Sequence, residues 1–169
     1  MTTLAELNGM SESEFVALLA GVFEHSPWVA TRAAGARPFT DRAQLLEAMC
    51  AAVAAATGAE QLALIRAHPQ LKSRAGARDT LTAHSAQEQR RAGLAGLTAP
   101  EAARLEQLNA EYLRKFDFPF ILAVKGHDPE SIIACLEARL TADAAQEQRT
   151  ALQQIGLIAG YRLADLIHS

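Results

Sequence analysis

Long hydrophobic runs are missing from this sequence of 169 residues. No apolar stretch approaches the roughly 20 residues that cross a bilayer as a helix, so a membrane-spanning helix is excluded. The opening, MTTLAELNGM, has neither a basic start nor an apolar centre and does not read as a secretory signal; the closing LIHS is not a peroxisomal address. Cysteine is scarce. Cys50 and Cys135 both fall among apolar helical positions, outside any CxxC or CxH, and are expected as buried, reduced thiols of a cytoplasmic chain. Nor does one sign of charge dominate. Sixteen Lys and Arg stand against nineteen Asp and Glu, a net −3, which argues against a general nucleic-acid partner. The single basic cluster, LKSRAGAR with Lys72, Arg74 and Arg78, is short, rich in small residues and reads as a solvated loop. There is no Walker loop, HExxH, nucleophile elbow or dinucleotide fingerprint, and the five histidines lack metal-ligand spacing.

What the sequence does have is helical periodicity on a composition that is 50% apolar, enough for a sizeable core without staples. SESEFVALLAGVF offers Ser11 and Glu14 as a capping box, followed by Phe15, Leu18, Leu19, Val22 and Phe23 on one face. SPWVATRAAG supplies Ser26 as cap, Pro27 in the first turn and Gly35 as stop. TDRAQLLEAMCAAVAAATG stripes through Leu45, Met49 and Val53, and a shorter helix over 59–67 leads into His68. Further on come SAQEQRRAGLAGL, TAPEAARLEQLNAEYLRKF with Thr98 and Glu101 as a second box, DPESIIACLEARL capped by Asp128, and a last helix from about 142 to 166. With no repeat and no linker, residues 1–169 are expected to form a single all-α domain of about eight helices.

One stretch breaks the pattern. FDFPFILAVKG, 116–126, reads as a short extended segment near 117–125, because Pro119 turns Phe118 away from the helical region and the residues after it are apolar on both faces. No other segment looks like a strand to pair with it. Its main-chain groups must then be satisfied by neighbouring side chains, by water, or by a planar ligand with urea-like donors and acceptors.

Three places suggest chemistry. His68 in AHPQL ends a helix against Pro69, where unpaired carbonyls favour the protonated ring. Such a histidine either complements the helix dipole or serves as a general acid. In HSAQEQ, Ser85 and Glu88 have capping-box spacing, which leaves Gln89 unexplained; if that helix start faces a cavity, it is an anion site with Glu88 and Gln89 in its first turn. Arg162 lies seven after Ile155 and three after Ala159, beside the apolar stripe, and either snorkels or has an anion partner. Gly156 and Gly160 flank it and suggest close approach of another helix or a ligand.

In order and separation, HPQL, LTAHSAQEQRRAGL, LNAEYLRKFDFPFILAVKG and IGLIAGYRLADLI resemble the 2-oxo-4-hydroxy-4-carboxy-5-ureidoimidazoline (OHCU) decarboxylases of urate breakdown, over residues from about 5 to 167. The resemblance rests on the combination of HP, SxxEQ, FxFPF and a late RL. It implies an all-helical, homodimeric carboxy-lyase that needs neither metal nor organic cofactor. Its substrate would be OHCU, the product of 5-hydroxyisourate hydrolysis, and its product (S)-allantoin. By position, His68 matches the catalytic histidine, Glu88 the acidic residue beside it and Arg162 the arginine facing the substrate. Pro69, Ser85, Gln89 and the main chain of Phe120, Ile121, Leu122, Ala123 and Val124 match the substrate-binding contacts. The sequence departs from the family in the loop after the HP, where Gln70, Lys72 and Ser73 replace the usual Asp and Gly-rich turn. Two other readings stand beside this one: a helical enzyme acting on a related ureide, and a non-catalytic helical interaction module. The module predicts no saturable small-molecule binding and no effect of His68.

Overall fold

The computed structural model describes residues 1–72 and 81–168; Ser73, Arg74 and Arg78 of the basic loop lie outside them. In chain order come β1 (Thr2–Thr3), α1 (Leu4–Gly9), α2 (Glu12–Leu19), α3 (Trp28–Ala33), a 3₁₀ turn (Ala34–Ala36), α4 (Arg42–Ala54) and α5 (Gly58–Ala67). After the basic loop follow α6 (Ala83–Arg91), a second 3₁₀ turn (Leu94–Gly96), α7 (Ala99–Phe116), α8 (Pro129–Arg139), α9 (Ala144–Leu166) and β2 (Ile167–His168). The fold is all-α. Among the described residues the only ladder is the parallel pair β1–β2, with Thr2 opposite Ile167 and Thr3 opposite His168. No single helix among them is long and apolar enough to cross a membrane.

The chain divides into two compact units, the first comprising Met1–Ala67 and Ile155–Ser169, the second His68–Gln154. In the first unit α3 packs on α2 and α4, and the core is built from residues such as Phe15, Leu45, Met49, Ile155 and Leu163, all at most 1% exposed. The second half of α9 lies close to α4. A Cβ on Gly156 would stand 3.4 Å from Cys50 Sγ, and one on Gly160 would stand 3.2 Å from a Leu46 methyl. Helix packing therefore accounts for both glycines.

Local signals start most helices. Thr3 with Glu6, Ser11 with Glu14 and Thr98 with Glu101 form reciprocal capping boxes, and Asp128 caps α8 with Pro129 as its first residue. The Thr3 box, unread in the opening ten residues, is what makes α1 a ninth helix. Two expected caps are corrected. Ser26 does not cap α3, since its hydroxyl donates to the Glu24 carbonyl at 2.9 Å and Pro27 takes the cap position; Gly35 lies inside the 3₁₀ turn that extends α3. Nor do Ser85 and Glu88 open α6. Thr82 does, three residues earlier, accepting from Ser85 N at 3.3 Å.

In the second unit α7 packs on α8 and buries Leu105, Leu108, Asn109, Tyr112 and Phe116. It ends where Asp117 takes a left-handed φ of 60°, two residues before Pro119. Phe118 and Phe120 to Val124 then run buried, without helix and without ladder. The Tyr112 ring meets Phe120 edge-on, centroids 5.4 Å apart, which fixes this segment against α7.

Candidate functional site

His68 follows the last residue of α5 directly and is 6% exposed. Burial at this position keeps the ring out of bulk solvent. Three of the four residues after His68 are tied down. Gln89 on α6 donates from Nε2 to the Gln70 carbonyl at 3.2 Å and accepts from Lys72 N at 3.3 Å; Asn109 on α7 donates to the Leu71 carbonyl at 2.7 Å. Gln70 to Lys72 are therefore braced from two helices.

With α6 beginning at Ala83, Ser85 sits in the first turn, and Glu88 and Gln89 belong to the second, not the first. Ser85 and Gln89, four apart, share one face and are 4% and 6% exposed; Glu88, half-buried, stands beside them. Ser85 Oγ accepts from the Thr82 hydroxyl at 3.2 Å. The unread role of Gln89 is thus partly structural: its amide serves the main chain two residues past His68.

The segment 120–124 is held from behind by side chains. Arg139, the last residue of α8, donates to the Ile121 carbonyl, and Gln154 accepts from Ala123 N at 2.9 Å. The Val124 carbonyl accepts from His127 N at 2.9 Å. Among the described residues, Leu122 engages neither its N–H nor its C=O with any protein group. The satisfaction problem raised by the sequence is therefore solved in part, at the Ile121 C=O, the Ala123 N–H and the Val124 C=O, and Leu122 stands between the first two with both its groups open. Among the described residues the main-chain groups of Phe120, the Ile121 and Val124 N–H and the Ala123 C=O also lack a protein partner.

Arg162 belongs to the first unit and is 2% exposed. Its anion partner is Glu24, itself 1% exposed, with Nη1 to Oε2 at 2.9 Å; the same nitrogen donates to the Gly21 carbonyl at 3.1 Å. The demand for an anion was readable from the stripe, but Glu24, 138 residues away, was not. Other polar residues missed in the sequence share a sign that was present. Asn109 and Glu147 occupy apolar stripes, Asn109 four after Leu105 and Glu147 four before Ala151, and both are buried. A buried polar side chain on a core face must have partners.

Together these features define an all-α protein whose second unit contains the buried His68, a polar helix face and an unladdered segment with open main-chain groups. No cluster of three or more metal-ligating side chains occurs among its described residues. Residues 8–164 match the OHCU decarboxylase family, and the chain belongs to that family. It is 40% identical over 167 residues to the 2-oxo-4-hydroxy-4-carboxy-5-ureidoimidazoline decarboxylase of Haloferax volcanii, covering 99% of this chain and 97% of that one. It is 41% identical to the uric acid degradation bifunctional protein PucL of Bacillus subtilis, of which it spans 33%. The solved structure of an (S)-allantoin synthase superposes with a TM-score of 0.80 at 29% identity, covering 98% of this chain and 54% of that one.

Proposed function

We propose that this chain decarboxylates OHCU to (S)-allantoin, as a carboxy-lyase that uses neither metal nor organic cofactor. The observation that carries the reading is the reach of the family match: residues 8–164 include His68, Glu88, the 120–124 segment and Arg162 alike. On the same ground both units act as one domain, and the enzyme works as a cytoplasmic homodimer.

The chemistry asks little of the protein beyond positioning. OHCU carries its carboxylate on a ring carbon next to a C=N bond. When the C–C bond to the carboxylate breaks, CO₂ leaves and the electron pair moves into that imine, whose nitrogen takes a proton. The substrate is its own electron sink, which is the service pyridoxal or thiamine otherwise provides. The resulting enol loses its hydroxyl proton as the ureido-bearing carbon gains one, and the face that receives it sets the (S) configuration. The enzyme must hold one conformer, stabilise developing charge and deliver a proton to one face.

His68 is the proton donor, polarising the carboxylate or the hydroxyl. Glu88 holds the hydroxyl and orients the histidine. Ser85, Gln89 and Pro69 position the ureido and anionic groups, and the main chain of Phe120 to Val124 pairs with the ring amides. Arg162 keeps a contact with the substrate's anionic groups on the family likeness alone. Turnover measured on OHCU beside related ureides tests the substrate assignment. A preference for OHCU supports it, and equal or better turnover of another ureide overturns it.

A further inference from the structure

The segment 120–124 and its supports lie within the second unit, and the supports are more elaborate than packing requires. Arg139 closes α8, where its charge complements the helix end, and Glu147 stands in the first turn of α9. Arg139 Nε donates to Glu147 Oε1 at 2.6 Å, and the Tyr112 hydroxyl donates to the same oxygen at 2.5 Å. Tyr112 and Glu147 are at most 1% exposed. Burial, reinforced by the Glu147 carboxylate, pushes the Tyr112 hydroxyl well above the usual phenol range, so it remains a donor. The guanidinium held in this way does two further things. It donates to the Ile121 carbonyl and lies over the Phe120 ring, 4.5 Å from its centroid.

Peptide geometry carries the consequence. In a trans peptide the C=O of one residue and the N–H of the next point in opposite directions in one rigid plane. Arg139 takes the Ile121 carbonyl, so the Leu122 N–H points away from Arg139. Gln154 takes the Ala123 N–H at 2.9 Å, so the Leu122 C=O points away from Gln154. Both planes flanking Leu122 are therefore pinned from behind, and the groups of these two planes left open are the donor and the acceptor of Leu122.

We propose that Arg139, held by Glu147 and Tyr112, and Gln154 are positioning residues of the reaction: by pinning the peptide planes on either side of Leu122, they aim its N–H and C=O at the amide edge of the substrate. This rests on the decarboxylase reading above. The ligand chemistry it selects is a cyclic amide or ureide that presents a carbonyl and an N–H together.

Arg139→Lys keeps a cation beside Glu147 but loses the planar fork that serves two partners. Gln154→Leu keeps the size and removes the acceptor, and Gln154→Glu restores one. KM and kcat on OHCU and the affinity for (S)-allantoin by calorimetry would be measured well below each variant's melting temperature. Arg139→Lys and Gln154→Leu are expected to raise KM and weaken (S)-allantoin about tenfold, with kcat changed less, and Gln154→Glu to return both toward wild type. A lowered melting temperature with KM and affinity unchanged in both loss variants makes these residues merely structural and overturns the proposal. A wild-type protein that neither turns over OHCU nor binds (S)-allantoin overturns the functional reading, and the positioning with it.

Discussion

Glu24→Gln should cost far more stability than a single surface-charge change, and the structure says how much. The Arg162 guanidinium and the Glu24 carboxylate are 2% and 1% exposed, with 2.9 Å between Nη1 and Oε2. Gln at this position keeps the volume and an acceptor, and the carbonyl of Gly21 still accepts from Nη1. What disappears is the compensating charge. Breaking a buried pair from one side costs about 3–5 kcal/mol, and the retained acceptors place this case near 3. For a domain of this size that corresponds to a melting temperature lower by roughly 6–12 °C. Urea unfolding measures it directly, as a shifted midpoint with an unchanged slope. The double variant Glu24→Leu with Arg162→Met should recover most of the loss, because well-packed apolar replacements of a buried pair are often neutral or better. Raising salt should leave the difference in place, since buried charges are little screened. A Glu24→Gln protein within about 0.5 kcal/mol of wild type would refute the argument that Arg162 depends on Glu24 for its burial.

Three further outcomes concern α6 and the Arg32–Glu60 pair. Thr82→Ala removes the cap of α6 and should cost about 1 kcal/mol in urea unfolding; Ser85→Ala should cost less and instead raise KM, which kinetics on the same preparations would check. The Arg32 hydrogen bonds, with help from the Thr57 N–H, pull the Glu60 carboxyl from 4.5 down to about 2. A depressed carboxyl contributes stability above its unfolded pKa and loses it as the folded group protonates. Melting temperatures of wild type and Glu60→Gln should therefore differ at neutral pH, converge as pH falls below 4.5 and meet near 2; a gap that stays constant over that range would remove the ion pair from the account.

Local features of the fold were legible in the sequence because they are decided within a turn. Thr98 with Glu101, and Asp128 followed by Pro129, start α7 and α8 as their spacing predicts. Pro119 likewise announced a segment that is neither helix nor ladder. Where two caps compete, local rules cannot choose. Thr82 and Ser85 both precede the polar run of α6, and the earlier one wins, which moves Ser85 from the cap onto the buried face. Partners distant in sequence were out of reach for a different reason. A buried Arg162 requires an anion, but only the folded chain brings Glu24 to it. An open backbone at 120–124 requires donors and acceptors, but only the fold brings Arg139 and Gln154 behind it. His68, Glu88 and Gln89 were singled out from short motifs, and the structure adds that the main chain just past His68 is clamped by Gln89 and Asn109.

The central claim is that His68 delivers the proton that makes allantoin chiral. The most direct test is a circular-dichroism time course on OHCU generated in the cuvette from urate by urate oxidase and hydroxyisourate hydrolase, with wild type and His68→Asn side by side. Unassisted decay gives racemic allantoin and no signal. Wild type should give a fast rise of the (S)-allantoin signal, and a His68→Asn protein of unchanged stability a rate lower by roughly 10²–10⁴. A wild-type trace indistinguishable from the enzyme-free control, or a variant as fast as wild type, would contradict the claim.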